Sequence, residues 1–224
     1  MPQPSIETSI ARSNLYLFIS VLYSQPGNDR FEMLLEDEFK LKIKSAVTSL
    51  FPTSQHGNLN NIISEIFQLA SSEKSQLSDN YFLHFGHTLS KETVPYELEQ
   101  LPQTEIFNKT DRLADILGFY NAFGIQPDMP ERGDHISMQT EFLSFLLLKM
   151  ALAIEKGEDI TNLQTCEKAF HSFWNEHFSN WIQFYIPKTK NFTSSPFYLK
   201  ANAFLEEFFL FEKQLVETAT PLPC

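Results

Sequence analysis

The chain has 224 residues, long enough for one large domain or two small ones with a substantial core. Its 28 acidic against 17 basic residues leave a formal charge of −11, which disfavours duplex DNA or an anionic membrane surface and favours a basic partner such as a positively charged peptide. With 42% hydrophobic and 20% charged residues and a mean hydropathy of −0.22 the composition is that of a soluble globular protein, and 22 phenylalanines against 7 glycines favour an all-α helical bundle over a glycine-turned β protein.

In chain order, the apolar run over residues 15–23 is short for a membrane span and has no small-x-small cleavage site behind it, so no stable membrane insertion is expected. It reads instead as the buried face of a first helix over residues 6–24, with Ile10, Leu17 and Val21 beside Leu15, Phe18 and Leu22, ended by Pro26-Gly27-Asn28. Short helical pieces follow over 31–35 and 39–50. Residues 51–58 form a polar loop before a stripe of Leu59, Ile62, Ile63, Ile66, Phe67 and Ala70. The next helix holds Leu77, Tyr81, Phe82 and Phe85 and ends at Gly86 in a left-handed cap. Residues 88–103 contain Pro95 and Pro102 and form a long connection, a candidate hinge near 87–103 and a candidate functional loop.

Beyond it Ile106, Leu113, Ile116, Leu117, Tyr120 and Phe123 mark a helix closed by Gly124. A stiff polar turn from Pro127-Asp128-Met129-Pro130 through Asp134-His135 then enters a long apolar helix, with Asp134 as its N-cap, Met138, Phe142, Phe145, Leu146 and Met150 as its stripe, and Gly157 as its end. Residues 161–186 give an aromatic helix pair or one long helix broken at Pro187. The polar loop 188–194 precedes a last helix with Ser195 as N-cap, Pro196 at its first position, and Ala201, Phe204, Leu205, Phe208 and Leu215 buried.

Several chemistries lack their residues. No glycine-clustered phosphate loop occurs. None of the six histidines has a glutamate three residues before it, as a di-iron bundle requires. His84 and His87 lack a third ligand, and Cys166, His171 and His177 do not share one helical face, so no metal site is expected. Cys166 and Cys224 form no C-x-x-C pair, which fits an intracellular chain without a disulfide framework.

Three motif groups occur in order. Tyr81-Phe82-Leu83-His84-Phe85-Gly86 is followed by Val94-Pro95-Tyr96-Glu97-Leu98-Glu99. Phe119-Tyr120-x-x-Phe123-Gly124 is followed by Asp134-His135-Ile136 and Thr140-Glu141-Phe142-Leu143. Last comes Glu176-His177-Phe178-Ser179-Asn180-Trp181. Together they resemble the TorD-like family of molybdoenzyme maturation chaperones, which includes the DmsD and NarJ groups, over roughly residues 15–215. Leu98 stands where the family's Pro-Tyr-Glu-Ser loop has serine, and Gln139 where its Glu-Leu-Glu-Phe-Met element begins with glutamate.

The resemblance implies a single TorD-like helical domain over residues 1–224, of roughly eight to eleven helices. It implies a cytoplasmic chaperone, not an enzyme and without a cofactor of its own. Its partner would be the molybdopterin-containing catalytic subunit of an oxidoreductase, bound through a twin-arginine signal peptide where the client has one, and no nucleic acid is implied. A receptor for such a peptide should set carboxylates beside an aromatic groove. Asp134 carries over as the partner of a client arginine or lysine, and His135 as a hydrogen-bonding or pH-sensitive contact. Glu141, two helical turns beyond Asp134, should share its face, and Pro95 and Glu97 belong to the long loop. Tyr81, Phe85, Tyr96 and Tyr120 are candidates for the aromatic wall. Two competing readings are a small-molecule or nucleotide-binding enzyme using Asp134, His135 and Glu141 as an acid–base set, and a structural helical adaptor.

Overall fold

Breakers and helical stripes translate into the following order in a computed structural model describing residues 5–86, 93–101, 109–126, 131–157, 160–190 and 195–218. Helices α1 (Ile6–Leu22) and α2 (Asp29–Glu32) lead into a 3₁₀ turn (Met33–Leu35), then α3 (Asp37–Leu50), α4 (Thr53–Ser72) and α5 (Lys74–Phe85). After α6 (Glu97–Gln100) and α7 (Lys109–Ala122) come α8 (Ile136–Lys156), α9 (Ile160–Phe173), a π turn (Trp174–Phe178), α10 (Ser179–Thr189) and α11 (Pro196–Thr218). The fold is all-α, as expected, and α2 and α6 are single turns.

The central rod is α8, most of it buried and packed along α1 on one side and α9 on the other. It is long and apolar enough to cross a membrane, but here it serves as a core helix. Serines let α1 and α8 approach: the Ser13 hydroxyl donates to the Ser144 carbonyl at 2.9 Å and the Ser144 hydroxyl to the Ser13 carbonyl at 2.8 Å. The two helices run antiparallel, so the end of α1 lies beside the start of α8. On its other flank α1 meets α11, where Arg12 Nε and Nη2 donate to both Glu212 oxygens at 2.8 and 2.7 Å and the Tyr16 hydroxyl adds a bond at 3.0 Å. One hydrophobic cluster runs from Ala11 to Val216. Phenyl rings knit it edge to face, as in Tyr16–Phe208 at 4.9 Å and Phe142–Phe173 at 4.8 Å, each pair adding about 0.5–1.5 kcal/mol beyond its buried area.

Five local expectations are corrected. The polar stretch 51–58 is not a loop, since α4 begins at Thr53 and its first turns project into solvent, where no apolar periodicity is required. Gly86 is extended (φ −70°, ψ 141°) rather than left-handed, and glycine is needed because a Cβ there would lie 2.3 Å from the Phe82 carbonyl oxygen. Pro187 does not end α10, which continues to Thr189; the amide it lacks would have served the carbonyl of exposed Gln183, which water reaches. Ile10 is 40% exposed, because α1 turns Ala11, Leu15, Tyr16 and Phe18 inward instead, and Leu215 is 38% exposed, because α11 turns Val216 inward in its place.

Other signals work as their chemistry demands. Gly157 caps α8 in the left-handed region at φ +59°. The Ser195 hydroxyl accepts from the Tyr198 amide at 3.5 Å ahead of Pro196. The connection 88–103 carries the short α6 within its described part. Pro127-Asp128-Met129-Pro130, Ile106, His87, Pro102, Cys224 and residues 191–194 of the polar loop lie outside the described residues.

Candidate functional site

The motif segments of the long connection and of the turn entering α8 are stitched together by backbone. The Ile136 amide donates to the Pro95 carbonyl at 2.9 Å and the Glu97 amide to the Asp134 carbonyl at 3.0 Å, making an antiparallel bridge between Tyr96 and His135. Pro95 supplies the fixed φ and a bare acceptor that such a stitch uses.

Within this joint the capping job expected of the acid falls to the histidine. His135, not Asp134, is the N-cap of α8: its backbone is extended (φ −70°, ψ 144°) and its Nδ1 accepts from the Ser137 amide at 3.2 Å, with the Ser137 hydroxyl 2.6 Å away. Asp134 lies one residue too early to reach that amide. Its carboxylate instead accepts from the Leu98 amide at the start of α6 at 3.1 Å and from the Arg132 guanidinium. Both side chains have 0% exposure, so the turn does not present them to solvent as the sequence suggested. Burial pulls the His135 imidazole down to about 4, against a smaller upward pull from Glu131 and Asp134. Its Nε2 is buried with no partner among the described residues.

Glu97 is the centre of a second buried cluster. Its carboxylate, with 0% exposure, accepts from Arg112 Nε at 2.5 Å and Gln139 Nε2 at 2.5 Å and faces His177 Nδ1 at 3.2 Å. Trp181 Nε1 donates to Gln139 Oε1 at 2.9 Å, and His177 Nε2 meets Asp115 at 3.0 Å. An amide at position 139 can donate to a carboxylate and accept from an indole at once, which a second carboxylate could not do without repulsion. The π turn directs His177 inward, so all three motif groups converge on Glu97.

Beside this joint is a cleft of about 600 Å³ between the Ser24–Arg30 segment, the end of α7 and the start of α8. Its apolar wall is Tyr120, Ile125, Met138, Phe142 and Phe145, and its charged groups are Asp29, Arg30, Glu131 and Glu141. Glu131 is held by the Tyr81 hydroxyl at 3.0 Å and the Tyr96 hydroxyl at 2.5 Å, and burial together with this carboxylate raises both phenols above their ordinary range. Arg30 Nη2 pairs with Glu141 Oε1 at 2.5 Å.

Of the expected site residues, Glu141 and Tyr120 therefore line the cleft, and Tyr81 and Tyr96 reach it through Glu131. Asp134, His135, Pro95 and Glu97 form the joint beneath it. Phe85 is 4% exposed and packs on Tyr198 at 4.8 Å in the core. Glu141 does not share a face with Asp134, and the three groups needed for an acid–base set are not brought together, since two are sealed and the third is paired with Arg30. Sequence reasoning missed Glu131, Arg30, Arg112 and Gln139 as partners. His177 and Trp181 stood in a quoted motif, which was the available signal.

The arrangement can hold a cation beside an apolar side chain. Among the described residues no group of three or more histidine, cysteine, aspartate or glutamate side chains is placed to hold a metal ion. No curated protein matches the chain significantly. The family model described as nitrate reductase delta subunit matches residues 51–185, which is more than half of the chain and contains both buried clusters and the α7–α8 side of the cleft. On that match, and with the motif groups gathered around Glu97 and the α8 entry, the chain belongs to the nitrate reductase delta subunit family, a family of molybdoenzyme maturation chaperones.

Proposed function

We propose that this chain is a cytoplasmic maturation chaperone that binds the catalytic subunit of a molybdopterin oxidoreductase before assembly, gripping a twin-arginine signal peptide in clients that carry one. The observation that carries this reading is the cleft: three carboxylates against one guanidinium, over a wall of aromatic and methionine side chains. A basic residue followed by an apolar stretch satisfies both halves at once, much as a groove takes an amphipathic segment. Methionine suits a wall that must adapt to its occupant.

In this reading Glu141, Glu131 and Tyr120 meet the client. Asp134, His135, Pro95, Tyr96 and Glu97 fix the cleft's edge, and Tyr81 positions Glu131. Phe85 supports α5 from the core. A carboxylate that already satisfies an arginine and a backbone amide, as Asp134 does, has little left to offer a client.

The test is a pull-down with the apo form of a cognate catalytic subunit, one encoded beside this chain. A complex at micromolar concentration is expected, and Phe145→Asp and Glu141→Lys should abolish it with helical content unchanged. Absence of any complex at that concentration overturns the assignment.

A further inference from the structure

We propose that Arg30 is a resident competitor in the cleft, occupying the position that a client arginine takes, so that the cleft rejects ligands that bring charge without an apolar segment. This rests on the client-binding reading above.

The chain's four arginines are held very differently, and Arg112, on the buried Glu97 carboxylate and the Glu176 carbonyl at 2.6 Å, belongs to the frame. Arg12 is bound through two nitrogens to Glu212, itself 1% exposed, and Arg132 is held by Asp134, by Glu99 at 3.4 Å and by the Tyr96 ring at 4.8 Å. Both are built into the frame. Arg30 by contrast reaches Glu141 through one nitrogen at 2.5 Å, and among the described residues its other hold is the neutral Ser20 hydroxyl at 3.2 Å. Arg30 and Glu141 side chains are 32% and 37% exposed, in the range where water screens an ion pair strongly. Arg30 also sits on a single-turn helix of which only Phe31 is buried. Its contact with Glu141 is therefore the exchangeable one.

Exchange sets the specificity. An incoming guanidinium that displaces Arg30 swaps one ion pair for another and gains almost nothing from charge. The net gain must come from burying an apolar stretch against Met138, Phe142 and Phe145. A ligand with arginines alone fails, and so does an apolar segment that covers Asp29 and Glu131 without bringing a cation to answer their charge. Arg30 thus discriminates by opposing the wrong ligand rather than by attracting the right one.

The experiment uses fluorescein-labelled synthetic peptides and fluorescence anisotropy at fixed salt. One peptide carries an arginine pair ahead of an apolar stretch; the other carries the same pair ahead of a serine–glycine stretch. Arg30→Gln should bind the first about two- to fivefold more tightly than the unaltered protein and acquire measurable affinity for the second, as expected for one exposed ion pair no longer competing. Arg30→Lys keeps the competing charge and should behave as the unaltered protein. In a Glu141→Gln background, Arg30→Gln should add nothing. If the unaltered protein binds the first peptide and Arg30→Gln binds it equally or less well, the competitor role is overturned while the chaperone reading stands. If the unaltered protein binds neither peptide nor the apo-subunit, the chaperone reading fails and takes this inference with it.

Discussion

Replacing Glu97 by alanine tests whether this carboxylate is a joint or a client contact. The substitution removes a group with 0% exposure and three internal neighbours, Arg112, Gln139 and His177. Removing one partner of a buried ion pair costs about 3–5 kcal/mol, and because Arg112 keeps 21% exposure and regains some water, the lower figure of about 3 applies. The stranded Gln139 amide adds about 1 kcal/mol. A total near 4 kcal/mol should lower the melting temperature by roughly 8–16 °C for a chain of this size, read by circular dichroism, and a urea midpoint should fall in parallel. Glu97→Gln keeps an acceptor for Arg112 and should lose less. Below its own melting temperature Glu97→Ala should still hold the client. A Glu97→Ala protein that melts within about 2 °C of the unaltered one would refute the joint, and one that does so while losing the client would make Glu97 a contact.

Glu212→Gln should cost about 3 kcal/mol or more in urea denaturation, because Arg12 is left facing an amide where α1 meets α11, with no effect on peptide affinity. Gly86→Ala should lower stability by about 1–3 kcal/mol, since the new methyl meets the Phe82 carbonyl and the backbone at the end of α5 must move. For His135 the sign follows from burial: the folded imidazole titrates near 4 and the unfolded one near 6.5, so as pH falls between these values the unfolded chain takes up a proton that the folded chain refuses. Its stability contribution is therefore full above about 6.5 and declines toward pH 4, by about 3 kcal/mol in all. Urea midpoints across that range should show this limb, and His135→Asn, which keeps a capping acceptor, should flatten it; an unchanged limb would refute it.

The elements that sequence made visible are those whose determinants are local. The stripe from Leu59 to Ala70, the Gly157 cap and the Ser195-Pro196 start are each decided by residues within a turn or two, and each forms where those residues require. What escaped was decided by context. Residues 53–58 are helical although no apolar period marks them, because an exposed prolongation of a stable helix needs none. Pro187 is tolerated because the carbonyl it orphans belongs to an exposed residue, a fact about the fold and not about proline.

The site divides along the same line. Resemblance singled out residues around the α8 entry that the structure gathers there, yet it could not say which of them face inward, because side-chain direction at a loop is set by what docks on it. Asp134 at 0% and Glu141 at 37% exposure are both acids near one helix start, and the docking of α6 together with Arg132 seals the first while the second stays at the cleft. A carboxylate close to free backbone amides and an arginine is drawn into the frame, since leaving those donors buried and unpaired would cost more than the client interaction it forgoes. The acids of the −11 charge are thus sorted by the fold itself. Those beside buried amide and guanidinium donors become joints, as Asp134, Glu97 and Glu212 do, and Asp29, Glu131 and Glu141 give the cleft its sign. If the cleft is the client site proposed above, its preference can change through Asp29, Arg30 or Glu141 without touching the joints, and selection on the client can then act at those positions independently of folding.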